Sequence, residues 1–287
     1  MWHWFLSLCP KLPPDAVAMK KVLLTGASAG IGLETAKELV AAGHEVWGVA
    51  RSLERLPVME RFHPVVMDLT DAASMERAFC KASAESGGFD VLINNAGSGI
   101  LGRSDLLSAA DWAEQFHLLC VAPMQMVRLA MPGMIGRGRG LIVNVTSLAA
   151  RFSIPCMGAY SAAKAALGNA TSALRMEFAG TPIRIVELQP GDVNTGFNHA
   201  MRRVVSGKRD EGVVDEDFLF GRHERNLATA PPPRKVARKM LDIVEGRETA
   251  TVVACGDWFQ ACLAPLLARL SPHGWVEWGI RKFYRIR

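Results

Sequence analysis

What the chain lacks narrows its class first. No stretch approaches eighteen uninterrupted apolar residues, which argues against a transmembrane helix. The six cysteines, at positions 9, 80, 120, 156, 255 and 262, show no CxxC spacing and do not pair with the seven dispersed histidines at metal-ligand intervals. They read as reduced thiols of a cytosolic protein, and no structural metal is predicted. No charge of one sign dominates, because 33 basic residues face 28 acidic ones for a net charge of +5. The basic groups are scattered apart from Arg202-Arg203, Lys208-Arg209 and the stretch from Arg281 to Arg287, a pattern that argues against a nucleic-acid surface. Internal repeats and domain-separating linkers are missing too. The opening Met1-Trp-His-Trp-Phe-Leu-Ser-Leu-Cys9 lacks a basic flank and runs into Pro10, Pro13 and Pro14, so it reads as a poorly ordered extension, with Met19 an alternative start.

What is present alternates strand and helix. Short β-branched or apolar runs at Val22–Thr25, Glu45–Ala50, Pro64–Met67, Asp90–Asn94, Leu141–Val145, Ile183–Leu188 and Thr249–Val253 predict seven buried strands. Helical sequence lies between them: Leu33–Ala42, a segment capped by Asp71, Ser108–Met134 with interruptions at Pro123 and Pro132, Ser161–Ala179, and Arg234–Val244. The alternation predicts an α/β fold with one doubly wound, seven-stranded parallel sheet and helices on both faces. Residues 1–18 would be the extension, 19–256 the single domain and 257–287 a helical tail packed on it.

The first strand runs into Gly26-Ala-Ser-Ala-Gly30-Ile-Gly32 and then a helix. Glycines there permit a tight turn and close backbone approach, and the helix amino end offers unpaired N–H groups and a positive dipole to a pyrophosphate. The second strand ends at Arg51-Ser52 with no acid before Glu54. An acid at that point would accept from a ribose hydroxyl, whereas an arginine accommodates a 2′-phosphate, so NADP is favoured over NAD.

Ser147 follows the fifth strand, at the carboxyl end where ligands bind in such folds. Tyr160 and Lys164 are four apart in Ala-rich sequence and share a face if that segment is helical. A hydroxyl, a phenol and an ammonium converging there suit proton transfer to a carbonyl oxygen. Bringing a phenol from about 10 toward about 7 needs roughly 4 kcal/mol, more than one screened charge supplies, so Lys164 would need help from a second cation such as an oxidised nicotinamide.

Together, Thr25-Gly-x-x-x-Gly-Ile-Gly32, Asp68-Leu69, Asn94-Asn-Ala-Gly97, Ser147, Tyr160-x-x-x-Lys164 and Pro190-Gly191 through Thr195 resemble the short-chain dehydrogenase/reductase family over nearly all of Lys20 to Val253. The resemblance implies a Rossmann-type fold and a nicotinamide-linked oxidoreductase. Under it Tyr160 is general acid in reduction and general base in oxidation, Ser147 hydrogen-bonds the substrate oxygen, and Lys164 holds the nicotinamide ribose while lowering the tyrosine pKa. Thr146 is a neighbouring hydroxyl, but the family's usual spacing to Tyr160 selects Ser147. The resemblance further implies that Gly26, Gly30 and Gly32 cradle the pyrophosphate, that Asp68 and Leu69 meet the adenine and that Asn94 meets the ribose region. It completes the NADP(H) set with Thr25, Ser28, Ile31, Arg51, Ser52, Asn95, Ala96, Gly97, Pro190, Gly191, Val193 and Thr195, beside Tyr160 and Lys164. The two long helices after the fourth and fifth strands are the family's subunit interface, which implies a homodimer or homotetramer.

One departure is Leu119, in Phe116-His-Leu-Leu119-Cys-Val-Ala-Pro123, where the family commonly has an asparagine that anchors a water of the proton relay. Leucine neither donates nor accepts, so the relay must be rerouted or rebuilt with His117 or solvent. Leu119→Asn is therefore expected to leave activity equal or higher.

Residues 192–233 form the predicted substrate loop, polar and irregular from Gly196 to Pro233, and Phe197, Met201, Phe218, Leu219 and Phe220 either cover a lipophilic substrate or form ordinary core. With Phe152, Ile154 and Met157 they would suit a fairly apolar ketone or alcohol, of steroid, retinoid or 3-oxoacyl type. The alternative is an NADP(H)-binding sensor or scaffold with little catalysis, supported only by Leu119. The tail ends in Trp275-Val-Glu-Trp-Gly-Ile-Arg-Lys-Phe-Tyr-Arg-Ile-Arg287. Packing on its own domain or on a sister subunit is the preferred reading; lying on a membrane surface is the other.

Overall fold

The computed structural model describes residues 18–197, 201–207, 214–257 and 270–286, together with 259, 263 and 266. Most of the expected amino-terminal extension and most of the expected helical tail before Leu270 lie outside the described residues. In chain order the elements are β1 (Lys21–Thr25), α1 (Gly30–Ala41), β2 (Glu45–Ala50), β3 (Phe62–Val66), α2 (Ala72–Ser86), β4 (Val91–Asn94) and β5 (Ile100–Leu101). Next come α3 (Ala109–Phe116), a π-helical turn His117–Val121, α4 (Ala122–Gly136), β6 (Gly140–Val145), α5 (Gly158–Glu177), β7 (Ile183–Pro190) and β8 (Arg202–Arg203). The chain continues through α6 (Glu216–Ala228), α7 (Pro233–Glu245), β9 (Val252–Cys255) and α8 (His273–Phe283).

Seven strands pair in parallel in the order β3-β2-β1-β4-β6-β7-β9. Alternation along each strand divides the core. Val22 and Leu24 pack with Leu39 of α1 and Met240 of α7 on one face, while Leu23 packs with Phe79 of α2, Met126 of α4 and Leu174 of α5 on the other. The segment Ala109–Gly136 is long and apolar enough to cross a membrane by length and composition alone. Its α4 part instead supplies Met126, Val127, Ala130, Met131 and Met134 to the core.

Strand order reverses between β1 and β4, and in open parallel sheets such a switch point is where a ligand crevice lies, at the carboxyl ends of the two strands. A buried polar chain fixes its floor. Asn94 Nδ2 donates to Asn144 Oδ1 at 2.8 Å and to Pro123 O at 3.1 Å, and Asn144 Nδ2 donates to Thr171 Oγ1 at 2.9 Å. These bonds tie β4 and β6 to α4 and α5, so the helices above the crevice cannot slide independently of the strands.

Candidate active site

The glycine turn is shaped for close approach at the switch point. Gly26 has φ +72°, and a Cβ on it would stand 2.8 Å from Ala96 Cα. A Cβ on Gly32 would collide with Gly26 O. The turn is pinned from both sides: Gly26 and Ala27 N–H donate to Val49 O at 3.0 and 3.1 Å, and Asn95 Nδ2 donates to Thr25 O at 3.0 Å. Thr25 Oγ1 in turn accepts from the N–H groups of Asn95 and Ala96 at 2.9 and 3.0 Å. Helix α1 begins after Ala29 without a side-chain cap and carries no acid in its first turn, so its leading N–H groups and positive dipole suit an anion. A Cβ on Gly30 would touch Thr195 at 3.4 Å, so the chain after β7 closes over the same turn. Its half-buried neighbours Ser28 and Ile31 complete the loop. These features fit a dinucleotide's pyrophosphate.

Farther along the crevice, Arg51 is exposed and Ser52 half-buried. Asp68 Oδ1 accepts from Thr70 N and Oγ1 at 2.8 and 2.7 Å, and these bonds, with a smaller pull from Arg51 and His117, hold its carboxyl below the usual range. Arg51 and Asp68 thus stand within electrostatic reach of each other, just past the carboxyl ends of β2 and β3. Asn94 differs in orientation from its neighbours, since its amide is committed to Pro123 and Asn144 inside the protein. Asn95 and Ala96 border the glycine turn, whereas Gly97 faces Leu119. On the other side, Gly191 N–H donates to Cys255 O at 2.7 Å and Val193 is buried, which sets the path from Pro190 to Thr195.

The hydroxyl, phenol and ammonium converge at the inner end. Thr146 is tied to β7, its N–H donating to Leu188 O at 2.8 Å and its Oγ1 to Glu187 Oε1 at 2.8 Å. That commitment leaves Ser147 as the hydroxyl facing the site. Ser147 Oγ accepts from Ala149 N–H at 3.1 Å, which holds it at the head of a short 3-10 turn, and it hydrogen-bonds the Tyr160 phenol. Helix α5 starts at Gly158, so Tyr160 and Lys164 do share its inward face. Lys164 Nζ donates to Val145 O at 2.7 Å.

Burial dominates the electrostatics of this trio. It pushes the Tyr160 phenol up to about 12, with the Ser147 hydrogen bond opposing it, and pulls the Lys164 ammonium down to about 8. The expected lowering of the phenol by Lys164 is not found among the chain's own residues, because the ammonium bonds to the Val145 carbonyl. At neutral pH the phenol is protonated and able to donate, and the amine is still charged.

Above the trio lies an apolar cluster that includes Leu101, Leu119, Met157, Tyr160, Met201, Leu219, Phe220 and Tyr284, with Ile154, Phe197, Ile280 and Ile286 against it. Of the five loop residues read as lid or core, Phe218 alone is exposed; Phe197 meets the Tyr160 ring edge-on at 6.1 Å. Sequence reasoning missed Tyr284, one of only two tyrosines in the chain. The signal was the helical stripe Val276, Ile280, Tyr284.

Leu119 is fully buried in this cluster, in the π-helical turn between α3 and α4, where an added Gly97 Cβ would lie 3.1 Å from its Cδ2. His117 on the same turn is close enough to Asp68 to lower its pKa, and its buried Nε2 has no partner. Leu119→Asn would place an amide among methyl groups. We expect a stability loss of about 1–3 kcal/mol from that unpaired amide, measured by urea unfolding, with turnover of the folded fraction equal or higher. A collapse of turnover in the folded protein would contradict the alignment of this turn with the family's asparagine position.

Fold and cradle together define an oxidoreductase built on a doubly wound nucleotide-binding sheet. The chain belongs to the short chain dehydrogenase family, whose model matches residues 20–205. It is similar to a 3-ketodihydrosphingosine reductase of Bacteroides thetaiotaomicron, 31% identical over 270 residues that span 93% of this chain and 98% of the relative. A second relative is an NADP-dependent 3-hydroxy acid dehydrogenase of Salmonella typhi, 32% identical over 176 residues, 59% of this chain and 71% of that one. Among solved structures, a short-chain dehydrogenase from Streptomyces avermitilis superposes with a TM-score of 0.76 at 27% identity, covering 91% of this chain and 98% of the other.

Proposed function

We propose that the protein is an NADP(H)-dependent oxidoreductase that interconverts a fairly apolar ketone or aldehyde with its alcohol. The observation that carries this reading is the meeting of Ser147, Tyr160 and Lys164 under an apolar cluster, at one end of a crevice whose other end is the glycine turn. When bound, the nicotinamide supplies or accepts the hydride. Ser147 Oγ orients the carbonyl oxygen by hydrogen bonding, and the buried Tyr160 O–H delivers the proton to it. Lys164 holds its charge beside the phenol, where it favours the phenolate left after proton delivery. Shielding by Met157, Phe197, Leu219 and Tyr284 excludes water from that exchange and suits a lipophilic chain of steroid, retinoid or 3-oxoacyl type. The relative that acts on 3-ketodihydrosphingosine, aligned along nearly all of both chains, favours a long-chain 3-keto compound. The intact trio stands against the sensor or scaffold alternative.

Gly26, Gly30, Gly32 and the α1 amino end would hold the pyrophosphate, Thr25, Asn95, Ala96, Gly97 and Thr195 its surroundings, and Asp68 and Leu69 the adenine. Residues 19–256 act as one domain in which 192–233 contribute the substrate segment, and α4 and α5 supply a homo-oligomer interface in a cytoplasmic protein. Arg51 takes the 2′-phosphate, a role supported by the NADP dependence named for the Salmonella typhi relative. A panel of ketones and alcohols assayed by nicotinamide absorbance with NADPH and NADH in parallel tests the reading; no turnover of any carbonyl would defeat it. In the same assay Arg51→Glu is expected to raise the NADPH KM at least about tenfold while leaving kcat within about twofold, the loss of one charge-assisted contact. An unchanged NADPH/NADH ratio would remove Arg51 from the phosphate site.

A further inference from the structure

Helix α8 has two unlike faces. Val276, Ile280 and Tyr284 recur every fourth residue and turn inward, and Ile280 and Tyr284 join the apolar cluster around Tyr160. Trp275 and Trp278 lie on the opposite side and are 74% and 61% exposed. Lys282 shares that side, its ammonium 5.9 Å from the Trp278 ring, and Arg281 and Arg285 are exposed beside it. Leu270, just before the helix, is 72% exposed, and Phe259 and Leu266 are exposed as well. Such a surface, with two tryptophans outward among cations, is costly to leave in water.

We propose that α8 is a docking helix that seats the protein on an anionic phospholipid bilayer, with its inner face closing the cleft above Tyr160. Tryptophan favours the membrane–water interface, and lysine and arginine reach anionic headgroups while their stems stay along the apolar boundary. Charge selects this occupant over a second copy of the chain. A two-fold contact through the same face would set Arg281, Lys282 and Arg285 against their own counterparts. Exposed apolar side chains suited to subunit contact lie elsewhere, at Ile135 on α4 and Met176 on α5. The docking stands independently of the reaction. Its consequence, that a lipophilic ketone reaches Tyr160 from the bilayer beneath α8, rests on the function proposed above.

The test is co-sedimentation of the full chain with phosphatidylcholine vesicles, with and without phosphatidylglycerol, alongside turnover of a water-soluble ketone with NADPH. Binding is expected on the anionic vesicles, weakening as salt rises. Trp275→Ser/Trp278→Ser is expected to abolish it while leaving soluble-ketone turnover within about twofold of the parent. Lys282→Glu/Arg285→Glu retains the aromatic face and serves if the first variant fails to fold. Removing each of the two positive charges is expected to weaken binding about fivefold, and the reversal to weaken it further. A parent chain that stays in the supernatant with anionic vesicles overturns the proposal, as do variants that sediment like the parent. So does a parent that ignores vesicles and whose oligomer falls apart on losing the two tryptophans, which would assign the face to a second copy. Binding without turnover of any ketone would defeat the proposed reaction and leave the docking intact.

Discussion

Tyr160→Phe is expected to lower turnover about a thousandfold or more while NADPH binds as tightly as to the parent chain. The magnitude follows from the usual worth of a positioned proton donor, about a hundred- to ten-thousandfold, here at a buried site where solvent cannot easily substitute. The structure explains why the change should be clean. The ring remains packed against Phe197 and within the cluster that includes Leu119 and Met157, and the lost group is one hydroxyl hydrogen-bonded to Ser147. Ser147 keeps the Ala149 N–H as a partner, so the stability cost should be near 1 kcal/mol. The glycine turn and α1 are untouched, so fluorescence titration with NADPH should give an unchanged Kd. Turnover retained within about tenfold would mean that another group delivers the proton. Lost NADPH binding would mean that the phenol holds the cofactor rather than the substrate oxygen.

The central sheet was readable because each strand is a short apolar run whose neighbours on the two faces alternate, as Val22, Leu23 and Leu24 do. Boundaries were less readable. The third strand begins at Phe62, before the expected Pro64, because pairing with β2 recruits Phe62 and His63 regardless of local pattern. Helix α5 starts at Gly158 with no side-chain cap to announce it. In the expected Ser108–Met134 helix, the break attributed to Pro123 is a π-helical turn ending just before it, through which the chain stays helical from α3 into α4, and Pro132 lies inside α4 without ending it. The irregular segment up to Pro233 hides α6, whose signals were present: Asp215 caps it, Glu216 and Asp217 follow, and Arg225 lies in the last turn. By contrast, β5 and β8 are two-residue strands joined across the chain, and no local pattern encodes such a pairing.

For the candidate site, motif order was legible and side-chain commitment was not. Asn94 and Asn95 are adjacent amides of one motif, yet the first belongs to a buried chain with Asn144 and the second clamps the glycine turn, a division set by which side of β4 each faces. Thr146 and Ser147 divide in the same way. The covering role of α8 depends on where a tail returns in space, which only the packed chain determines.

Lys164→Met is expected to raise stability while reducing turnover at least about a hundredfold. Burial lowers the ammonium from an ordinary 10.5 to about 8. Near neutrality the folded chain therefore holds this charge less favourably than the unfolded chain does, at a cost on the order of 3 kcal/mol at about 1.4 kcal/mol per pH unit. Methionine has similar length and no charge, so it removes that cost at the expense of one hydrogen bond to Val145 O. The sign reverses familiar intuition about lysines. Between about 8 and 10.5 the unfolded chain binds the proton more strongly than the folded one, so the parent's stability from this group rises with pH across that window. The advantage of Lys164→Met should accordingly be full below pH 8, shrink as pH climbs, and vanish above 10.5. Urea unfolding of parent and variant at matched pH values reads this directly, and a variant less stable than its parent at pH 7 would mean that the ammonium is held by more than Val145. Stability gained where turnover is lost would also separate the two effects of this lysine: burial makes its charge costly to the fold, while in the proposed reaction that charge favours the phenolate formed when Tyr160 gives up its proton.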